Sequence, residues 1–183
     1  MTVVVRESKE TQIRVALGEP ALQSEQGAFI ETTEPFLDHM LVALSRYSGV
    51  PFDIRAKGDL RHHLIEDVAI ALGQAFAAHT PATCARYGER TVPMDEALVQ
   101  VVLDMGGRPY YRGPLPSHLY DHFFRSFADN AKATLHVRVL RGTDRHHIIE
   151  AAFKALGFAL REALVESGRV FSTKGSVKLE INP

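Results

Sequence analysis

Gly58-Asp59-Leu60-Arg61-His62-His63-Leu64-Ile65-Glu66 and Gly142-Thr143-Asp144-Arg145-His146-His147-Ile148-Ile149-Glu150 are two versions of one pattern. In that register Ala71, Leu72 and Gly73 fall on Ala155, Leu156 and Gly157, and upstream, after a one-residue slip, Asp38-His39 answers Asp121-His122. Each copy predicts helix, strand, turn and helix in that order. A unit of this kind has an apolar face that a second unit can cover, so the repeat predicts a duplicated fold built from two similar halves. The halves are residues 1–88 and 89–183, and the polar stretch Thr80 to Pro93, with its two prolines and Gly88, is the expected join.

Outward from the repeat, Thr11 to Leu17 alternates through Ile13, Val15 and Leu17, and Ala28 to Thr32 is a second extended run, so the chain is expected to open with two strands. Asp38 precedes a helical run through Met40, Leu41, Leu44 and Tyr47 that stops at Ser48-Gly49. Phe52, Ile54 and Ala56 alternate as a strand, and His62 to His79 reads as a helix with a broad apolar face. In the second half a strand through Leu98 to Leu103 is followed by a proline-rich loop or short edge strand from Arg108 to Ser117. A helix beginning near Asp121, a strand through Leu135 to Val139 and the longest helical run, His146 to Ser167, complete the pattern.

The residues carried by the repeat are ones that bind metal. In His-His-x-x-Glu the first histidine is four and the second three before the glutamate, so either can approach it on a helix. Adjacent histidines are turned about 100° from one another, which makes it difficult for both to serve one ion; they suit two ions on either side of the helix. With His39 and His122 from the preceding helices, the set is His39, His62, His63, Glu66, His122, His146, His147 and Glu150, which divides into two sites of four ligands. A single such pair is more often a solvated or locally hydrogen-bonded feature. Six of the nine histidines fall in the repeat, however, with both glutamates at matching places. Nitrogen and oxygen donors in this mixture suit Mn²⁺, Fe²⁺ or Zn²⁺ above Ca²⁺ or Mg²⁺. Asp67 is expected either to orient an imidazole or to solvate its helix.

Composition narrows the field. The 21 Lys and Arg against 22 Asp and Glu leave a formal charge of -1, so the chain carries no net positive field of the kind that gathers nucleic acid or anionic lipid. The opening Val3-Val4-Val5 is too short for a signal-peptide core, which makes a cytoplasmic location the expectation. Cys84 is the only cysteine, so a thiolate zinc cluster is excluded.

The chain resembles the imidazoleglycerol-phosphate dehydratase family of histidine biosynthesis over nearly its whole length. The marks are Phe36-Leu37-Asp38-His39-Met40, Gly58-Asp59-Leu60, His62-His63-x-x-Glu66-Asp67, Arg86-Tyr87-Gly88, Met94-Asp95-Glu96-Ala97-Leu98, Gly107-Arg108-Pro109, His122-Phe123-Phe124, His146-His147-Ile148-Ile149-Glu150 and Ser172-Thr173-Lys174-Gly175. The resemblance implies a duplicated α+β unit related to the second domain of ribosomal protein S5, a 24-subunit homo-oligomer with active sites where subunits meet, and two Mn²⁺ per active site. It implies dehydration of D-erythro-imidazole-glycerol phosphate to imidazole-acetol phosphate, a carbon–oxygen lyase reaction, through a metal-bound imidazolate and a diazafulvene-like intermediate. Carried over position by position, the eight residues above match the metal ligands. Arg86, Arg108, Ser172 and Lys174 match phosphate contacts, and Glu10 matches a glutamate near the substrate. Glu150, or Glu10 with a metal-bound water, is the candidate for proton transfer. Lys154 also matches the family, yet on a helix it can equally pair with Glu150 or face solvent.

Departures from the family lie around the ligands and not at them. Only Arg61 separates Leu60 from His62, where the family has a longer acidic segment, and Ala43 stands where a glutamine is common. Two other functions stay open on the residues alone: a divergent metalloenzyme acting on another imidazole or phosphorylated polyol, and a non-catalytic, metal-stabilised oligomer.

Overall fold

The computed structural model of the protein describes residues 1–18 and 28–169. Its elements run β1 (Thr2–Glu7), β2 (Thr11–Leu17), β3 (Phe29–Glu31), α1 (Pro35–Ser48), β4 (Phe52–Gly58), α2 (Arg61–His79), β5 (Tyr87–Met94), β6 (Ala97–Asp104), β7 (Tyr110–Arg112), α3 (His118–Asn130), β8 (Thr134–Arg141) and α4 (Arg145–Ala163). This is an α+β fold with two four-stranded mixed sheets, ordered β1-β2-β4-β3 and β5-β6-β8-β7. In each sheet the first three neighbours pair antiparallel, and the short third strand of that half joins the edge in parallel. The two sheets therefore share one order and one set of pairing directions.

Alternation decides which face of each sheet is buried. In β2, Ile13, Val15 and Leu17 are buried while Gln12 is exposed; in β6, Val99, Val101 and Leu103 are buried while Val102 is exposed. Helix α2 lies on β1, β2 and β4, and α4 lies on β5 and β6. The helices of one half then meet those of the other, α1 against α4 and α2 against α3. At this seam Phe76 of α2 meets Phe127 of α3 edge to face, with ring centroids 5.7 Å apart, both side chains fully buried. Burying an aromatic side chain of this size contributes about 1.5–3 kcal/mol, so the seam holds the halves together.

Two repeated glycines set how closely the helices approach. A Cβ on Gly73 would stand 2.6 Å from the carbonyl oxygen of Phe127, and one on Gly157 would stand 2.7 Å from Cβ of Tyr47 and 3.1 Å from the carbonyl oxygen of Leu44. Both contacts cross from one half to the other, which explains why the glycine recurs in the repeat.

Three expectations need correction. The chain opens with β1, a strand the short Val3-Val4-Val5 run did not suggest; it is an edge strand whose exposure alternates, so a few valines suffice to pair it with β2. Within the expected join from Thr80 to Pro93, residues Tyr87 to Pro93 belong to β5. This strand lies at a sheet edge, where Pro93 is tolerated and its many exposed residues face solvent, so its polarity resembles that of a loop. Helix α4 ends at Ala163 and equals α2 at 19 residues each. The other helices begin slightly earlier than expected, at Pro35, where proline suits the first turn, and at His118.

Candidate metal centre

Among the described residues, two clusters of nitrogen and carboxylate donors form at the helical seam. His39, His146 and Glu150 make one; His62, Glu66 and His122 make the other; within each, the potential ligand atoms lie within 4.8 Å of one another. In both, the first histidine of the pair lies on the same helix as the glutamate, four residues before it, and the third donor comes from the opposite half. Nε2 of His146 is 3.1 Å and Nε2 of His39 is 3.4 Å from Oε2 of Glu150. Nε2 of His122 is 3.0 Å from Oε1 of Glu66, and Nε2 of His62 is 3.4 Å from Oε2. The cross-half helix pairs deliver this arrangement: α1 brings His39 to α4, and α3 brings His122 to α2.

The aspartates of the Asp-His repeat anchor the helix starts. Oδ1 of Asp38 accepts from the backbone N–H and hydroxyl of Thr32 at 2.9 and 2.5 Å. Oδ1 of Asp121 accepts from the hydroxyl of Tyr111 at 2.6 Å and the N–H of Leu115 at 2.9 Å. Each clamp ties the first turn of a helix to the segment before it, for Asp121 both β7 and the loop after it, and so holds the following histidine in place. Phe36 packs against the ring of His146, with centroids 5.1 Å apart.

The clusters differ in their carboxylates. Glu150 is buried, and Nζ of Lys154 lies 2.8 Å from Oε1, opposite the oxygen that faces the histidines. Burial pushes Glu150 up, but Lys154, then His39 and His146, more than offset this and hold the carboxyl below its usual range. Glu66 is half-buried, and the register puts Ile70 where the second half has Lys154, so this carboxylate has no matching cation.

The second histidine of each pair turns elsewhere. Nδ1 of His63 is 2.9 Å from Oδ1 of Asp59, and Nδ1 of His147 is 2.7 Å from Oε2 of Glu96. These partners raise both histidines above the ordinary imidazole value. The N–H of Asp144, then His147 and the N–H of Thr143, hold Glu96 down at about 2. Within one protomer each cluster therefore offers three of the four expected ligands. Asp59 and Glu96 were missed as partners of histidine: Asp59 was legible as a carboxylate four residues before His63, whereas the contact of Glu96 crosses the fold and left no local signal. Asp67 does neither thing expected of it. It is buried, accepting from the Thr11 hydroxyl at 2.5 Å and pairing with Arg6 at 2.8 Å, and so fastens the β1–β2 hairpin to α2.

The sequence profile of imidazoleglycerol-phosphate dehydratase matches residues 32–160. The chain belongs to the imidazoleglycerol-phosphate dehydratase family. It is 41% identical to the imidazoleglycerol-phosphate dehydratase of Dictyoglomus thermophilum, covering 95% of this chain and 97% of that protein. It is 44% identical to the histidine biosynthesis bifunctional protein HisB of Stenotrophomonas maltophilia, across 96% of this chain but only 52% of that longer protein. Among solved structures, the dehydratase of Pyrococcus furiosus in complex with (S)-C348 superposes with a TM-score of 0.85 at 41% identity, over 95% of this chain and all of that one. The Staphylococcus aureus enzyme gives 0.77 at 33% identity, over 91% of this chain and all of its own.

The remaining family positions are dispersed. Arg86, at a positive φ of 72°, forks onto Asp104 through Nε at 2.5 Å and a terminal nitrogen at 3.1 Å. It also lines a cavity of about 290 Å³ with Thr80, Cys84, Met105 and Lys132, apart from the donor clusters. Arg108 is exposed on the loop before β7. Glu10 stands at the β1–β2 turn with its side chain 58% exposed and Oε2 3.7 Å from Nδ1 of His63. Ser172 and Lys174 lie outside the described residues. No described helix is long and apolar enough to cross a membrane.

Proposed function

We propose that the chain dehydrates D-erythro-imidazole-glycerol phosphate to imidazole-acetol phosphate, the carbon–oxygen lyase step its family name describes. The observation that carries this reading is the pair of imidazole–carboxylate clusters built across the seam of a chain that belongs to this family. The chemistry of each donor set, two imidazoles and a carboxylate, fits a divalent first-row ion, and we read Mn²⁺ as that ion, with two per active site. The bound ions would supply Lewis-acid polarisation and a template for the substrate imidazole.

The protein's own residues have separable tasks. His39, His146 and Glu150 would hold one ion, His62, Glu66 and His122 the other, with His63 and His147 as the fourth ligands. Because neither belongs to a cluster of its own protomer, the reading requires a homo-oligomer, and we take it as a 24-subunit assembly with sites at subunit boundaries. Lys154 keeps Glu150 ionised, which suits a ligand and leaves Glu10, exposed and outside hydrogen-bond range of His63, as the group free to move a proton. Arg86, Arg108, Ser172 and Lys174 would grip the phosphate, with Asp104 pre-orienting the Arg86 guanidinium. The matching strand order of the two sheets supports reading residues 1–88 and 89–183 as a duplicated unit of the ribosomal protein S5 second-domain type.

The test is product formation by metal-stripped protein with and without added Mn²⁺. Manganese-dependent appearance of imidazole-acetol phosphate is the expected result. No turnover by correctly assembled and refilled protein would reject the reading.

A further inference from the structure

The second histidines are held from two different parts of the fold. Glu96, at the tip of the β5–β6 hairpin, is fixed through both oxygens. Oε1 accepts from the N–H groups of Thr143 and Asp144 at 3.0 and 2.8 Å, while Oε2 lies 2.7 Å from Nδ1 of His147. In the first half, Asp59, just ahead of α2, accepts the N–H of Leu60 at 2.7 Å and lies 2.9 Å from Nδ1 of His63 through the same oxygen. The repeat sets Asp59 over Thr143, so the second half has no carboxylate at that place and draws one from the hairpin instead. The β1–β2 hairpin is the counterpart of β5–β6, and its tip acid is Glu10. At 3.7 Å from Nδ1 of His63 it is too distant for a hydrogen bond.

A carboxylate beside Nδ1 accepts its N–H, which fixes the tautomer, orients the ring and leaves the lone pair on Nε2. We propose that Asp59 and Glu96 are positioning residues that present Nε2 of His63 and His147 as metal donors. We propose further that Asp59, by filling in the first half the role that Glu96 fills in the second, releases the hairpin-tip carboxylate of Glu10 for the substrate. This rests on His63 and His147 being metal ligands. Near Nε2 of His147 stands Oδ2 of Asp95, at 3.3 Å on a side chain 69% exposed; it adds negative charge beside the donor nitrogen and is not clamped as Glu96 is.

The experiment measures Mn²⁺ affinity by chelator competition, Mn²⁺ content by elemental analysis, and the thermal midpoint of the metal-free oligomer. The variants are Asp59→Ala, Asp59→Asn, Glu96→Ala, Glu96→Gln and Glu10→Ala, with His63→Ala and His147→Ala alongside. The alanine variants at Asp59 and Glu96 are expected to lose about 10–100-fold in Mn²⁺ affinity. Asp59→Asn, whose amide oxygen can make both contacts of Oδ1, should recover most of it; Glu96→Gln, with one acceptor oxygen where Glu96 uses two, should recover only part. Glu10→Ala should keep wild-type Mn²⁺ affinity while kcat falls. Should Glu96→Ala fail to assemble, Glu96→Gln and the Asp59 pair carry the test. Wild-type affinity in the Asp59 and Glu96 variants, with loss in the histidine variants, overturns the positioning roles alone. Wild-type affinity in the histidine variants overturns the ligand reading beneath them. Loss of affinity in Glu10→Ala overturns the division of labour between the two hairpins.

Discussion

Nε2 of His122 on α3 lies 3.0 Å from Oε1 of Glu66 on α2, so the third donor of this cluster comes from the half that did not supply the other two. His39 does the same for Glu150 in the opposite direction. The exchange makes the donor sets a property of the seam between halves. Replacing His122 or His39 by alanine should lower metal content from one cluster and leave the other filled. Elemental analysis of each single variant and of the double variant would check this; unchanged content in the double variant would remove both residues from the ligand set.

Gly73 and Gly157 make that seam close enough. Gly73→Ala sets a methyl group against the backbone of α3, and Gly157→Ala sets one against α1. Overpacking of this kind typically costs about 1–3 kcal/mol. Each variant should also weaken metal binding in the cluster spanning its own helix pair, Gly73→Ala at Glu66 and Gly157→Ala at Glu150. Denaturant midpoints and metal titrations would reveal it, and wild-type values for both properties would show that the helices part without cost.

Asp67 should behave as a structural residue. Asp67→Ala removes the acceptor for Thr11 and the partner of Arg6, and hydrogen bonds to charged groups contribute about 1.5–3 kcal/mol each. The upper end is not expected for the Arg6 contact, because that side chain is 39% exposed. Chemical denaturation should register the loss while the metal content of the folded protein stays at the wild-type value. A fall in metal content at unchanged stability would return Asp67 to the metal environment.

Protons and metal compete for His63 and His147. Because both are raised above 6.5, Mn²⁺ affinity should climb with pH through and beyond that value. In the metal-free protein the His147–Glu96 pair has its own window. The raised histidine contributes fully below 6.5 and loses its contribution as pH rises through its folded value. The depressed Glu96 contributes fully above 4.5 and loses its contribution as pH falls toward about 2. The pair is at full strength between 4.5 and 6.5, and Glu96→Gln should flatten the fall of the thermal midpoint on either side of that window. A profile identical to wild type would show that the pair adds nothing to stability.

Much of the site was legible because it is written twice. His62, His63, Glu66, His146, His147 and Glu150 share short helical segments whose periodicity fixes their mutual angles, and a helix of known pitch needs no tertiary information to set them. The repeat therefore determined the recurrence of one element order in two sheets, the donor residue types and the fact that adjacent histidines face different ways. What only the tertiary structure decided is exchange and selection. Nothing local says that His39 joins Glu150 and not Glu66, because that choice is made by which helices Gly73 and Gly157 allow to touch. Likewise β5 reads as a loop until the sheet places it at an edge, where polar residues and Pro93 face solvent at little cost. The partnership of Glu96 with His147 depends on a hairpin tip reaching the start of α4, a distance that chain order does not encode.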